Sequence, residues 1–134
     1  MSKFRLKIVT PEGTYRDEEA DIINFRATDG YMGIMAHHIP LATGVTISEM
    51  HYEVDGKTYR FAIAGGFMYV DADNTVTVIG NAVESPEEID LRRAEEAKQR
   101  AESRLKKKDQ NIDTKRAEIA LKKALIRISV KNGQ

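Results

Sequence analysis

Ser85-Pro86-Glu87-Glu88-Ile89-Asp90-Leu91-Arg92-Arg93-Ala94 is the stretch on which the reading of this 134-residue chain turns. Before it, apolar residues recur at every second position. After it, they recur at every third or fourth. Ser85 has the side chain of a helix N-cap, and Pro86 follows at the first helical position, where its missing N–H costs nothing. Glu88 completes an S-x-x-E capping box. Glu87 and Glu88 also suit the positive end of a helix dipole. The pattern predicts a helix from Ser85 to about Leu105, with Ala94, Ala97, Ala101 and Leu105 on one face.

Lys106 to Asn111 is polar and reads as a turn. Asp113 then offers a cap for a second helix. Ala117, Leu121, Ala124 and Ile128 form one stripe along it, and Ile112, Ile119 and Ile126 form another at seven-residue steps. Both helices are rich in Ala, Glu, Lys, Arg and Leu, which favour helix on their own. The seam between them holds little. A buried methylene-sized group contributes roughly 0.8 kcal/mol, against about 1.5–3 for a Leu or Ile side chain. Two readings follow. The pair is either an ordinary fixed hairpin or a hinged element that is held closed or let go.

Upstream, the period is two. Lys3 to Val9 alternates with Phe4, Leu6 and Ile8 on one face, as a strand with one wet side does. Pro11-Glu12-Gly13 is a turn. Ile23, Phe25 and Ala27 mark a second strand, and Tyr31 to Met35 is short and apolar. His37-His38-Ile39-Pro40 is a loop, since Pro40 disfavours helix at Ile39. Val45 to Val54 and Lys57 to Ala64 flank Asp55-Gly56, the strongest short hairpin signal. Gly65-Gly66 interrupts the alternation and reads as a bulge or a close backbone approach. Phe67 to Val70 and Thr75 to Ile79 complete the set. Short strands at this spacing imply an antiparallel sandwich or barrel. The expected division is residues 1–84 as a β-sandwich domain and 85–134 as a helical hairpin.

The formal net charge of zero conceals an asymmetry. Residues 1–84 carry 7 Lys/Arg and 12 Asp/Glu, whereas residues 85–134 carry 14 and 9. The helical part suits an acidic partner or an anion. The balance argues against general nucleic-acid binding, which calls for a markedly basic domain. The chain has no cysteine, so disulfides and thiol catalysis are excluded. No stretch approaches the roughly 20 apolar residues of a membrane span, and no signal-peptide pattern opens the chain.

Catalytic chemistry is not evident. Gly65-Gly66 lacks the Lys-Ser/Thr of a phosphate loop and lies between strands. His37, His38 and His51 lack metal-ligand spacing. No Ser-His-Asp set stands out. The basic residues of the hairpin carry more. Asp90 and Arg93 are three apart, Arg100 lies seven beyond Arg93, and Lys123 and Arg127 are four apart. Folded antiparallel, these cations can form an anion clamp, for which the planar guanidinium suits phosphate. Spacing alone favours the plainer reading, a solvated face with helix pairs worth about 0.2–0.5 kcal/mol each.

Taken together, Val9-Thr10-Pro11, Gly33-Ile34 with His38-Ile39-Pro40-Leu41, Ala64-Gly65-Gly66-Phe67 and Ile89-Asp90-Leu91-Arg92-Arg93-Ala94 resemble the epsilon subunits of F-type ATP synthases over essentially the whole chain. The resemblance implies a sandwich of about ten strands followed by an antiparallel two-helix hairpin. It implies a non-catalytic rotor subunit of the central stalk, peripheral on the cytoplasmic face of a bacterial plasma membrane. The implied partners are the gamma subunit, the ring of c subunits and, for an extended tail that inhibits ATP hydrolysis, the alpha and beta subunits. No cofactor or metal is required, and ATP is the implied regulatory ligand of the folded tail.

The I/L-D-x-x-R-A motif of ATP-binding members matches Ile89, Asp90, Arg93 and Ala94, and Glu84, Arg100 and Arg127 resemble the accompanying ligands. Lys123 falls where those relatives tend to have Arg, placing a point charge where a planar fork is expected. Tyr31, Met32, His38 and Lys122 are the implied partner contacts. Tyr31 falls where many members have Glu, and His37 where they usually have Gly. A free-standing nucleotide-binding module and a constitutive scaffold remain as alternatives.

Overall fold

The computed structural model describes residues 2–107 and 113–133. The chain divides into two compact units, Met1–Val83 and Glu84–Gln134. The first is built of strands: β1 (Phe4–Thr10), β2 (Gly13–Ala20), β3 (Ile22–Ala27), β4 (Gly30–Met35), β5 (Leu41–Val54), β6 (Lys57–Val70) and β7 (Thr75–Gly80), with the two-residue β8 (Val83–Glu84) at the division. They form one mixed sheet in the order β2-β1-β7-β6-β5-β3-β4, with β8 pairing with β6. The expected antiparallel pattern holds except where β1 and β7 run parallel, pairing Leu6 with Val76 and Ile8 with Val78.

The sheet folds over on itself into a sandwich. Tyr15 of β2 and Phe61 of β6 are separated by two strands in the sheet order, yet their rings meet edge to face at 5.7 Å. Tyr52 of β5 likewise reaches back to β2, where its hydroxyl donates to the Glu18 carboxylate. Phe4, Leu6, Ile8, Ile23, Phe25, Phe61 and Ile63 fill the enclosed space, all buried as their alternation requires. Among the described residues the strands number eight rather than about ten, because β5 and β6 each run unbroken for 14 residues. Gly65 (φ 83°) and Gly66 (φ 156°) turn β6 without ending it. A Cβ on Gly66 would lie 2.0 Å from the Ile79 carbonyl oxygen, so only glycine allows this close approach.

Asp55-Gly56 makes the expected two-residue hairpin. Both residues have positive φ (51° and 80°), and Val54 pairs with Lys57 across the turn, as a tight primed turn demands. Gly13–Ala20 has no apolar alternation to reveal it. It is an edge strand whose charges are set by pairing with β1, for example Arg5 Nη2 2.8 Å from Asp17 Oδ2. Charged edges of this kind discourage strand addition.

The second unit contains α1 (Leu91–Lys107) and α2 (Thr114–Asn132). The first helix begins five residues later than the capping box predicts, at Leu91 rather than Pro86. Ser85 and Glu88 instead close a turn. The Glu88 carboxylate accepts from both the Ser85 N–H (3.1 Å) and hydroxyl (2.9 Å), and the Glu88 N–H donates to the Ser85 carbonyl. Asp90 takes the capping role, its Oδ1 accepting from the Arg93 N–H at 3.2 Å. In α2, Asp113 caps Arg116 N–H at 3.1 Å, as predicted, and Gly133 closes the C-terminal end in the left-handed conformation. The turn expected over Lys106–Asn111 lies mainly outside the described residues, as does Ile112. Lys106 and Lys107 are helical.

Candidate functional site

The helical unit holds the residues singled out for ligand binding. Its seam is alanine: Ala94 and Ala101 of α1 and Ala117 and Ala124 of α2 are all buried. Ala97, Leu105, Leu121 and Ile128 are half-buried beside them. Small side chains let the two helices approach closely, and each contributes little apolar area. α2 ends near the residues that precede α1, because Arg127 reaches Glu84 and the Lys131 ammonium donates to the Pro86 carbonyl at 2.9 Å. The helices therefore run antiparallel.

Helix geometry then places the cations. Arg93 and Arg100 each precede a buried alanine of α1, and Lys123 precedes Ala124 of α2. On antiparallel helices facing each other across that seam, the preceding positions project to the same side, about 100° from the contact line. Arg127, three beyond Ala124, turns back toward that side. The arrangement is a row of four cations flanking the seam. Arg93, Arg100 and Lys123 are exposed, and among the described residues no hydrogen bond or ion pair engages their side chains.

Arg127 differs. Its Nη2 donates to Glu84 Oε2 at 3.1 Å and its Nε lies 2.9 Å from Oε1, within ion-pair reach although that N–H is not aligned for a hydrogen bond. The structure thus brings Glu84 and Arg127 together. It assigns Asp90 to the helix cap, buries Ile89 and Ala94, and among the described residues leaves the other three cations unpaired. Lys131 and the Ser85–Glu88 turn are participants that the sequence reading missed. A Lys in the last turn of a helix was the available signal.

The implied partner contacts are scattered. Tyr31, 82% exposed, stands on β4 with the Arg26 guanidinium 5.4 Å from its ring centre. Met32 is half-buried against the core. His38 Nδ1 lies 2.7 Å from the Ile39 carbonyl oxygen, and Ile39 itself is exposed. Lys122 is exposed on α2. His37 has φ 63° and donates its N–H to Asn74 Oδ1 at 2.7 Å. No group of side chains suited to a metal ion occurs among the described residues, and no described helix is long and apolar enough to cross a membrane.

Residues 3–86 match the family described as ATP synthase, Delta/Epsilon chain, beta-sandwich domain, and residues 87–132 match its long alpha-helix domain. The chain belongs to the ATP synthase delta/epsilon family. It is 49% identical over 129 residues to an ATP synthase epsilon chain of Alkaliphilus metalliredigens, covering 96% of both chains. It is 42% identical over 132 residues to one of Bacillus cytotoxicus, covering 98% of both. A chain in a structure of the Euglena gracilis mitochondrial ATP synthase, comprising OSCP, F1 and c-ring, superposes with a TM-score of 0.82 at 23% identity, over 93% of this chain and 79% of that one. That likeness shows the fold. Family membership accounts for both units at once, since the two matches adjoin and together span nearly the whole chain.

Proposed function

We propose that this chain is a non-catalytic epsilon subunit in the central stalk of a bacterial F-type ATP synthase, and that its hairpin restrains ATP hydrolysis when extended and binds ATP when folded. The relatives named above support the first part. The sandwich would meet the gamma subunit and, through the edge carrying Tyr31, Met32 and His38, the c-ring. An extended tail would meet alpha and beta, with Lys122 and Lys123 suited to an acidic segment.

The observation that carries the second part is the row of cations beside an alanine seam. Among the described residues three of the four have no side-chain partner, and they come from both helices. A polyphosphate laid along that row would bridge α1 and α2 and favour the folded form. A ligand shifts such an equilibrium only by its differential affinity for the two states, and a seam of methyl groups leaves a small energy to overcome. Arg93 and Arg100 can each offer two parallel N–H donors, whereas Lys123 offers a compact charge.

The test is to titrate ATP into the full chain and follow backbone amide signals by NMR. The expected result is saturable shifts at Arg93, Ala94, Arg100 and Lys123, with the sandwich signals unmoved. Absence of tail shifts at millimolar ATP would remove the nucleotide role while leaving the stalk role in place.

A further inference from the structure

We propose that the hairpin is fastened at its open end by a clasp of non-helical chain, Glu84 to Asp90, which grips the last turns of α2 and keeps the helices together without nucleotide. The two helices are tied covalently at one end only, by the short connection between Lys107 and Asp113. α1, with 17 residues, is roughly 25 Å long at 1.5 Å per residue. Separation of the helices must therefore begin at the opposite end, and that is where α2 contacts the segment preceding α1 through Arg127 and Lys131.

Glu84 offers both carboxylate oxygens to Arg127, at 2.9 and 3.1 Å. The two side chains are only 30% and 29% exposed, so the pair is partly shielded from solvent and salt. Four residues further along α2, Lys131 donates to the Pro86 carbonyl at 2.9 Å. These two contacts lie on successive turns of α2 and on nearby residues of the segment. The segment is held in shape from within. Glu88 folds back on Ser85, Asp90 caps α1, and Ile89 is buried. Of the two approaches only Nη2 to Oε2 is a hydrogen bond, charge-assisted and so stronger than a neutral one, while Nε adds ion-pair attraction.

The clasp divides the basic residues into two sets. Arg127 is already neutralised by Glu84, so it acts as a fastener. Arg93, Arg100 and Lys123 remain for an anion. A ligand would then add to a closure that exists without it. The inference concerns the nucleotide-free chain, so it stands or falls separately from ATP binding.

The chain contains no cysteine, so a cysteine pair at the exposed positions Gln99 and Ala120 can carry spin labels without competition. Distances are measured on the full chain with no nucleotide. The expected result is one short distance in the parent and a rise in the open-to-closed ratio of roughly three- to ten-fold in Glu84→Gln or Arg127→Gln. The reversed pair, Glu84→Arg with Arg127→Glu, should restore the short distance. Amide signals of Tyr52 and Phe61 report whether the sandwich is intact. The proposal is overturned if the single substitutions leave the distance distribution unchanged, or if the reversed pair is as open as the singles.

Discussion

The two units solve the problem of burial differently. The sandwich encloses whole aromatic and branched side chains: Phe4, Phe25, Tyr52, Phe61, Ile23 and Ile63 are essentially inaccessible. The helical unit encloses four alanines with Ile89 and Val130. A buried Phe or Ile contributes about 1.5–3 kcal/mol, several times what a methyl group gives. The contrast teaches that order in the two units has different sources. The sandwich is held by its interior. The hairpin is two sound helices with little apolar area between them, joined at one end by the Glu84–Arg127 ion pair and the Lys131–Pro86 hydrogen bond. A body that must stay rigid and an arm that must move would be built in this way.

The largest expected effect tests that contrast directly. Phe61→Ala removes a ring that lies 5.7 Å from both Tyr15 and Tyr52 and should cost about 3–5 kcal/mol in the thermal or urea unfolding of the sandwich. Ala101→Leu should act differently. Forcing a larger side chain into the seam costs about 1–3 kcal/mol, and the loss should appear as separation of the helices. The Gln99–Ala120 distance should lengthen while the near-ultraviolet signal of the tyrosines is retained. If Ala101→Leu unfolds the sandwich as deeply as Phe61→Ala does, the distinction between the units collapses.

A smaller effect comes from the polar rim of the same core. Burial disfavours the Tyr52 phenolate, and the hydrogen bond to Glu18 adds to it, so the phenol is pushed well above its ordinary range. Hydrogen bonds to Asp55 and Asp21 raise the Lys3 ammonium in the same direction. A group whose pKa is raised by folding contributes stability below its unfolded pKa and loses it as the pH climbs through the folded value. The sandwich should therefore lose stability as pH rises above about 10. Tyr52→Phe should lower stability at neutral pH by about 1 kcal/mol and make the alkaline decline shallower. Thermal melts between pH 7 and 11 provide the check. A decline of undiminished slope in Tyr52→Phe would place its origin elsewhere.

Much of this was legible in the residues. Alternation in Phe4, Leu6 and Ile8 predicts a one-sided strand, and all three are buried. Asp55-Gly56 and Asp113 announce a turn and a cap by chemistry that acts over three or four residues. The elements left unread or misplaced depend on distant partners. Gly13–Ala20 is a strand because β1 lies beside it, and its own sequence has no alternation to declare it. The start of α1 was misplaced because Ser85-Pro86-Glu87-Glu88 is a sound local signal. The chain uses the Ser85–Glu88 contact for a turn and gives the helix start to Asp90, while Pro86 and Glu84 are engaged by Lys131 and Arg127, more than 40 residues away. The cation row was suggested by spacing. Which cation is already neutralised could be read only from the fold.

The smallest expected effect turns on local strain. His37, Asp55 and Asn74 are the non-glycine residues with positive φ among those described, and all lie in the sandwich. A left-handed conformation costs an L residue roughly 1–2 kcal/mol, which a unit with a bulky interior can carry. His37 is exposed, and its recorded hydrogen bond uses the backbone N–H, donated to Asn74 Oδ1. Glycine would keep that bond and relieve the strain, at an entropic cost of about 0.5–1 kcal/mol. His37→Gly should therefore stabilise the sandwich by about 0.5 kcal/mol, a rise of roughly 2–4 °C in Tm for a unit of this size. His37→Ala should give no such gain, since alanine retains the Cβ. Equal melting temperatures for the glycine and alanine variants would show that the strain at this loop is not what limits it.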